Sequence, residues 1–145
     1  MSVNGRFVRA CAEGDIQVFN SLLSLADLNT TETGTSPLIA AVMGNHMDIV
    51  NRLLKHPAIN VNKTDKESWS ALHHACFQNR TQAVDAIINT RGVNMNLAEQ
   101  VTGKTPLMVA VMGESHDVLA SLVATAGIGL LLTDNDGHDV EDLAR

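Results

Sequence analysis

The 145-residue chain has few aromatic side chains: one tryptophan, three phenylalanines and no tyrosine. Only 18% of its residues are charged, whereas 45% are hydrophobic. This apolar fraction excludes a disordered chain, because disordered chains lack the apolar surface that a core requires. A core with so few rings must be built from small and aliphatic side chains. The composition therefore favours thin, repeated layers over one large globular centre.

Further shortages argue against several classes of protein. The chain has no basic cluster and a formal net charge of −6, whereas nucleic-acid-binding domains usually carry a basic face. The apolar run at 128–132 is too short to span a bilayer. Two cysteines, Cys11 and Cys76, do not make a disulfide framework. We therefore expect a monomer in the cytoplasm or nucleus that binds neither nucleic acid nor membranes.

The sequence repeats itself at intervals of about 34 residues. Residues 36–44 and 105–113 are nearly the same, and residues 70–77 form a weaker copy. One alanine recurs in register at Ala10, Ala41, Ala75, Ala110 and Ala144. Eight residues after each of the first four alanines, a second apolar group begins with the spacing i, i+1, i+4, i+5. This spacing places four side chains on one face of a helix.

Each repeat is predicted to contain a short helix, a tight turn, a second helix and a polar loop. Ser36, Ser70 and Thr105 stand where a hydroxyl can cap the first helix, and Pro37 and Pro106 follow at the first helical position. Because one unit cannot bury its apolar face alone, the units must stack. The predicted helices are 37–44, 47–55, 71–79, 82–90, 106–113 and 117–125.

These motifs resemble the ankyrin-repeat family, whose unit of about 33 residues starts with Thr-Pro-Leu-His-x-Ala. Residues 105–107 match the first three positions of this motif. In the weaker copy, residues 71–75 match from Leu72, at the third position of the motif, to Ala75, at the sixth. His46 matches the family's Gly-His turn, with Gly44 and Asn45 in swapped order. The glycine that precedes the motif is matched by Gly34, Gly103 and Gly137.

The resemblance covers essentially the whole chain and implies an all-α ankyrin solenoid of stacked helix-turn-helix units with projecting hairpin loops. It divides the chain into an N-terminal cap (1–29), units at 30–62, 63–97 and 98–133, and a partial unit at 134–145. Ser68 departs from the pattern, because the family usually has glycine there. The last unit contains only a first helix, so we expect the chain to be a fragment of a longer protein.

The residues that most often carry chemistry are interpreted here as structural. His73 and His74 are adjacent and point about 100° apart on a helix, and no His/Cys/Asp set at i, i+4 spacing surrounds them. The resemblance implies that His73 bonds loop backbone. Cys11 and Cys76 share one register and fit a small buried position. Residues 134–137 resemble the opening of a calcium loop, but such a loop needs a glycine at its sixth position and a glutamate at its twelfth, and neither falls at the right place. We therefore expect no metal, no cofactor and no catalytic residue.

The resemblance also implies where a partner binds, namely at the loop tips and the exposed side of the first helices. Phe7 and Phe19 fall on core positions, whereas Trp69 and Phe77 fall on partner-facing ones, where the repeat requires no ring. Interface hot spots favour such rings, although these side chains could also lie flat over neighbouring loops. The full set of predicted partner-binding residues is Thr35, Met43, Lys66, Glu67, Trp69, Phe77, Gln78, Lys104 and Met112.

The predicted function is to hold a protein or peptide partner against the concave face. Trp69→Ala is expected to weaken that binding by roughly 2 kcal/mol with little loss of folding stability. Two alternatives remain open. The loop asparagines Asn62 and Asn96 resemble targets of an asparaginyl hydroxylase, although Asn60 and Asn94 replace the acidic residue usual two places before. The chain could also be a structural spacer.

Overall fold

The computed structural model describes residues 1–145, and its only strand-like feature is an isolated bridge between Thr64 and Ser70. None of its helices combines the length and apolar character needed to cross a bilayer. In chain order the helices are α1 (Val3–Glu13), α2 (Ile16–Leu22), α3 (Pro37–Met43), α4 (Met47–Lys55), α5 (Ala71–Phe77), α6 (Thr81–Ile88), α7 (Pro106–Met112), α8 (His116–Val123) and α9 (Val140–Leu143).

The helices form two layers of stacked pairs. The first helices α1, α3, α5, α7 and α9 contact one another in that order, and α4, α6 and α8 do the same in the second layer. Within each of the first four pairs, the two helices also pack against each other. The predicted all-α repeat architecture is therefore confirmed.

The first helices begin where the sequence predicts. The hydroxyls of Ser36 and Thr105 accept hydrogen bonds from the third helical amide, at 3.2 and 3.4 Å. Ser70 makes the same bond at 3.3 Å, and the imidazole of His73 accepts a return bond from the Ser70 amide. Capping of this kind satisfies backbone donors that a helix start leaves without partners.

Most helix ends differ from the prediction by one or two residues, and only α4 has the predicted bounds. The three first helices α3, α5 and α7 end at their last apolar residue, because a left-handed residue follows soon after at Asn45, Asn79 or Glu114. The swap of Gly44 and Asn45 has a physical reason here. Asn45 takes the left-handed conformation, whereas a Cβ on Gly44 would come within 2.7 Å of the Ala12 carbonyl oxygen.

The core lies between the two layers and is made mainly of aliphatic side chains. Four of the five aligned alanines are buried, whereas Ala144 is exposed. Phe7 and Phe19 are fully buried and their rings stack with centroids 5.2 Å apart. The expected core roles of these rings and of the two cysteines agree with their complete burial.

Asparagine side chains join consecutive pairs behind the loops. The Asn62 side chain donates to the Gly92 carbonyl at 2.8 Å and accepts from the Asn94 amide at 2.7 Å. Asn96 makes the same two bonds to Gly127 and Gly129. Asn29, which was not among the predicted residues, bridges Ala58 and Asn60 in the same way. Because each amide satisfies two backbone groups of the next loop, this ladder fixes the stacking of the pairs.

Candidate functional site

An open groove with a volume of about 590 Å³ lies between α5 and α7 and the loops that precede them. We call it the α5–α7 groove. It brings together six of the nine predicted partner-binding residues, namely Lys66, Glu67, Trp69, Phe77, Lys104 and Met112. Val101 and Thr102, from the loop that precedes α7, also line the groove. Glu99 and Val109 complete the lining and were not predicted.

Three predicted residues lie outside this groove. Met43 is exposed at the end of α3, in the register of Phe77, but does not line the cavity. Gln78 is exposed just beyond Phe77. Thr35 is partly buried and its hydroxyl has no hydrogen-bond partner.

Phe77 is held at the groove by the next helix pair. Its carbonyl accepts a hydrogen bond from the Ser115 hydroxyl at 3.1 Å. A Cβ on Gly113 would lie 2.6 Å from that carbonyl oxygen and 3.2 Å from the Phe77 ring, so glycine allows this close approach. Phe77 remains 45% exposed, which leaves an aromatic side chain available to a ligand.

Trp69 is fixed through both its backbone and its ring. Asp65 donates its amide to the Trp69 carbonyl at 2.9 Å and accepts the Trp69 amide on its carboxylate at 3.0 Å. The indole lies 5.1 Å from the His74 ring and 5.6 Å, edge to face, from the Phe77 ring. Trp69 is partly buried and packs against the core, which favours a larger effect of its replacement on folding than the sequence predicts.

The groove contains two charged side chains that are tied to the protein itself. Lys104 places its ammonium 2.8 Å from the Asp134 carboxylate of the following loop. Glu99 is only 4% exposed and accepts bonds from the Val101 amide and from the amide and hydroxyl of Thr102. Burial acts to raise the pKa of Glu99, but these hydrogen bonds outweigh it and the net effect lowers the pKa. Glu99 is therefore ionised at neutral pH.

The sequence did contain a signal for Glu99. Asp65, Glu99 and Asp134 each stand five or six residues before the capping residue of the next helix. Each donates its amide at 2.9 Å to the carbonyl of the residue just before that cap. The three acids are thus structurally equivalent, and their alignment could have been read from the repeat.

The other histidine, cysteine and aspartate side chains that could take part in chemistry lie in environments that fit a structural role. His73 is buried, and its Nε2 lies 3.0 Å from the Lys104 carbonyl oxygen, in agreement with the implied role. Burial lowers the pKa of His73. Burial also raises the pKa of the Cys11 thiol to about 12 and raises that of Cys76. Asp134, Asp136 and His138 lie close enough to share an ion, but Asp134 is already bonded to Lys104.

Comparison with known proteins identifies the repeat. A family model described as "Ankyrin repeats (3 copies)" matches residues 7–99. The Escherichia coli (strain K12) protein YahD, whose name describes it as an ankyrin repeat protein, is 32% identical over 127 residues, which is 83% of this chain and 62% of YahD. The "SMC5-SMC6 complex localization factor protein 1" of Bos taurus is 33% identical over 108 residues, 74% of this chain and 9% of that protein.

A third relative has an enzymatic name. The "Glycerophosphocholine phosphodiesterase gde1" of Schizosaccharomyces pombe is 29% identical over 114 residues, which is 76% of this chain and 10% of that protein. The chain thus spans about three fifths of YahD and about a tenth of the other two relatives.

Proposed function

The chain belongs to the ankyrin-repeat family, and on that basis we propose that it binds a protein or peptide segment in the α5–α7 groove. Ankyrin repeats are generally protein–protein interaction modules. The observation that carries the proposal is the groove itself, where Trp69 lies beside the exposed Phe77 and Met112. Pockets walled by aromatic side chains are where interface hot spots concentrate.

The mechanism is display of a preorganised surface. Asp65 holds the backbone of Trp69, Ser115 holds the backbone of Phe77, and the two rings pack edge to face, so this wall of the groove is formed before a partner arrives. Binding costs less when side chains and loops are already ordered. The exposed Lys66 and Glu67 lie at the rim and would contribute more to orientation than to affinity.

Affinity capture from a native lysate tests this proposal. A protein retained by the wild-type chain should be lost with Phe77→Ala and with Trp69→Ala, after both variants are shown to be folded. Leu25→Ala is the matched control, because Leu25 is 71% exposed and lies outside the groove. Equal capture by all four proteins would contradict the groove as the binding site.

The proposal assigns no catalytic role, cofactor or metal to this chain. Both thiols are buried, and their raised pKa values disfavour the thiolate that nucleophilic chemistry requires. Unpaired cysteines also fit the proposed location in the cytoplasm or nucleus. The differently named relatives are consistent with a binding module that occurs in proteins of several activities. We further propose that the chain acts as a monomer and does not bind nucleic acid, consistent with its net charge.

A second candidate function is that of a substrate for asparaginyl hydroxylation at Asn62 and Asn96. Both are partly exposed and occupy equivalent places in the asparagine ladder. Their amide groups are engaged in hydrogen bonds, so an enzyme would have to open the loop to reach them. An intact mass with added oxygen, mapped to these residues, would support this function over that of a binding module or spacer.

A further inference from the structure

Two of the three equivalent loop acids have a cationic or titratable partner within the chain. The Asp65 carboxylate lies 2.7 Å from Nε2 of His74. His74 is on α5, the helix that follows the Asp65 loop, and stands immediately before the aligned Ala75. The Asp134 carboxylate lies 2.8 Å from Nζ of Lys104. Lys104 belongs to the previous repeat, where it stands immediately before the residue that caps α7. Partners of this kind offset the cost of burying a carboxylate.

Glu99, the third acid, has no such partner. It takes part in none of the ion pairs of the structure. The position equivalent to His74 is occupied by Val109, and the position equivalent to Lys104 is occupied by Trp69. The nearby imidazole of His73 does not replace them, because burial lowers its pKa and keeps it neutral. Both replacing residues, Val109 and Trp69, line the α5–α7 groove together with Glu99.

We propose that the partner supplies this cation, as an arginine side chain that enters the α5–α7 groove and pairs with Glu99. The aliphatic stem would lie along Trp69 and Phe77, and the guanidinium would donate to Oε2 of Glu99. That oxygen accepts only the Val101 amide bond within the chain, so it retains acceptor capacity. The inference rests on the proposed function, since it names the chemistry of the segment that binds there.

Arginine fits these walls better than lysine for two physical reasons. Its planar guanidinium stacks on aromatic faces and is more weakly hydrated than an ammonium group, so it loses less on leaving water. Its stem also covers apolar surface while the charged end remains bonded. The exposed Lys66 does not oppose this occupancy strongly, because it is solvated and balanced by its neighbour Glu67.

The indole N–H resonance of Trp69 provides the test, since this is the only tryptophan of the chain. The probes are acetylated, amidated pentapeptides with four glycines around a central arginine, lysine, citrulline or norleucine, titrated into the wild-type chain. We expect the arginine peptide to bind about tenfold more tightly than the citrulline peptide, as one charge-assisted hydrogen bond predicts. Added salt should weaken only the two cationic peptides.

Glu99→Gln should remove the preference for arginine over citrulline, whereas Glu13→Gln, at an exposed residue of α1 outside the groove, should change it less than about twofold. If Glu99→Gln disturbs the loop, two measurements on the wild-type chain still test the arginine assignment. These are the affinity of the arginine peptide relative to the citrulline peptide, and the dependence of that affinity on salt. Equal binding of arginine, citrulline and norleucine would overturn the arginine assignment but leave the groove as an apolar binding site. Tighter binding of the lysine peptide would also overturn it. No shift with any peptide would contradict both this inference and the proposed function.

Discussion

Lys104 and Asp134 connect the loops of two neighbouring repeats through an ion pair with 2.8 Å between Nζ and Oδ2. The Asp134 side chain is fully inaccessible to solvent, and its other oxygen accepts the amides of Asp136 and His138. The Lys104 ammonium together with the His138 amide lowers the pKa of Asp134 from 3.8 to about 2. The folded protein therefore favours the ionised form of this carboxyl group.

The first prediction is a loss of stability in acid that depends on Asp134. A carboxyl group with a lowered folded-state pKa contributes stability above its unfolded pKa of 3.8, and that contribution falls as the pH drops towards 2. The melting temperature of Asp134→Asn should therefore be lower than that of the wild type at neutral pH, and the difference should narrow below about pH 4. A difference that stays constant down to pH 2 would show that the pair does not act through ionisation.

The second prediction concerns the asparagine ladder. Asn62→Ala removes two hydrogen bonds to the next loop, at 2.8 and 2.7 Å, and leaves their backbone partners unsatisfied. We expect the free energy of unfolding to fall by about 1–3 kcal/mol in urea denaturation. Asn51→Ala is the matched control, because Asn51 is exposed on α4 and should change stability by less than about 0.5 kcal/mol. Equal effects of the two substitutions would contradict a role for the ladder.

The third prediction is that Ser68→Gly stabilises the protein. Ser68 has φ = 66°, a left-handed conformation that disfavours residues with a Cβ. Glycine relieves that strain, although its greater conformational freedom in the unfolded chain offsets part of the gain. We expect the free energy of unfolding to rise by about 0.5–1 kcal/mol. Ser68→Ala keeps the Cβ and should give no comparable gain. A similar increase in both variants would assign the effect to the hydroxyl group.

The sequence predicted those parts of the fold that depend on local interactions. Ser36, Ser70 and Thr105 cap helices through bonds to amides only three residues away, so their spacing was sufficient. The exact helix ends were less predictable, because they depend on which residue takes the left-handed conformation. Asparagine tolerates this conformation well, as at Asn45 and Asn79, whereas glutamate has no such preference, so Glu114 could not be recognised from its residue type.

The site was predicted in part for a comparable reason. Register alone placed Phe77 and Met112 on one surface. Register did not reveal that Met43 lies outside the groove. In the repeat of Met43, Thr35 occupies the place equivalent to Trp69, so that repeat has no aromatic wall. The lack of a cationic partner for Glu99 was also hidden, because it depends on which side chains two neighbouring repeats supply.

The fourth prediction tests the close packing of the first helices. Ala75 is fully buried on α5, which packs against α3, α6 and α7. Ala75→Leu should overfill this space and lower the free energy of unfolding by about 1–3 kcal/mol. Ala120→Leu is the control, because Ala120 is exposed on α8. An unchanged urea midpoint for Ala75→Leu would mean that the helices can separate without cost.

The last prediction separates folding from binding at the two groove rings. Trp69 is partly buried against His73, His74 and Phe77, so Trp69→Ala should lower the free energy of unfolding by about 1–3 kcal/mol. Phe77 is 45% exposed, so Phe77→Ala should lower it by less than about 1 kcal/mol. Stability is best followed by circular dichroism, because Trp69→Ala removes the only tryptophan fluorophore.

Both substitutions should nevertheless weaken binding of a captured partner by about 2 kcal/mol, measured by calorimetry on the folded variants. Phe77→Ala is therefore the more decisive variant, because its small effect on folding leaves the loss of an aromatic contact as the cause. Wild-type affinity in Phe77→Ala, together with weakened binding in Trp69→Ala, would indicate that Trp69 acts by supporting the loop. In that case the partner contacts the loop tips rather than the floor of the groove.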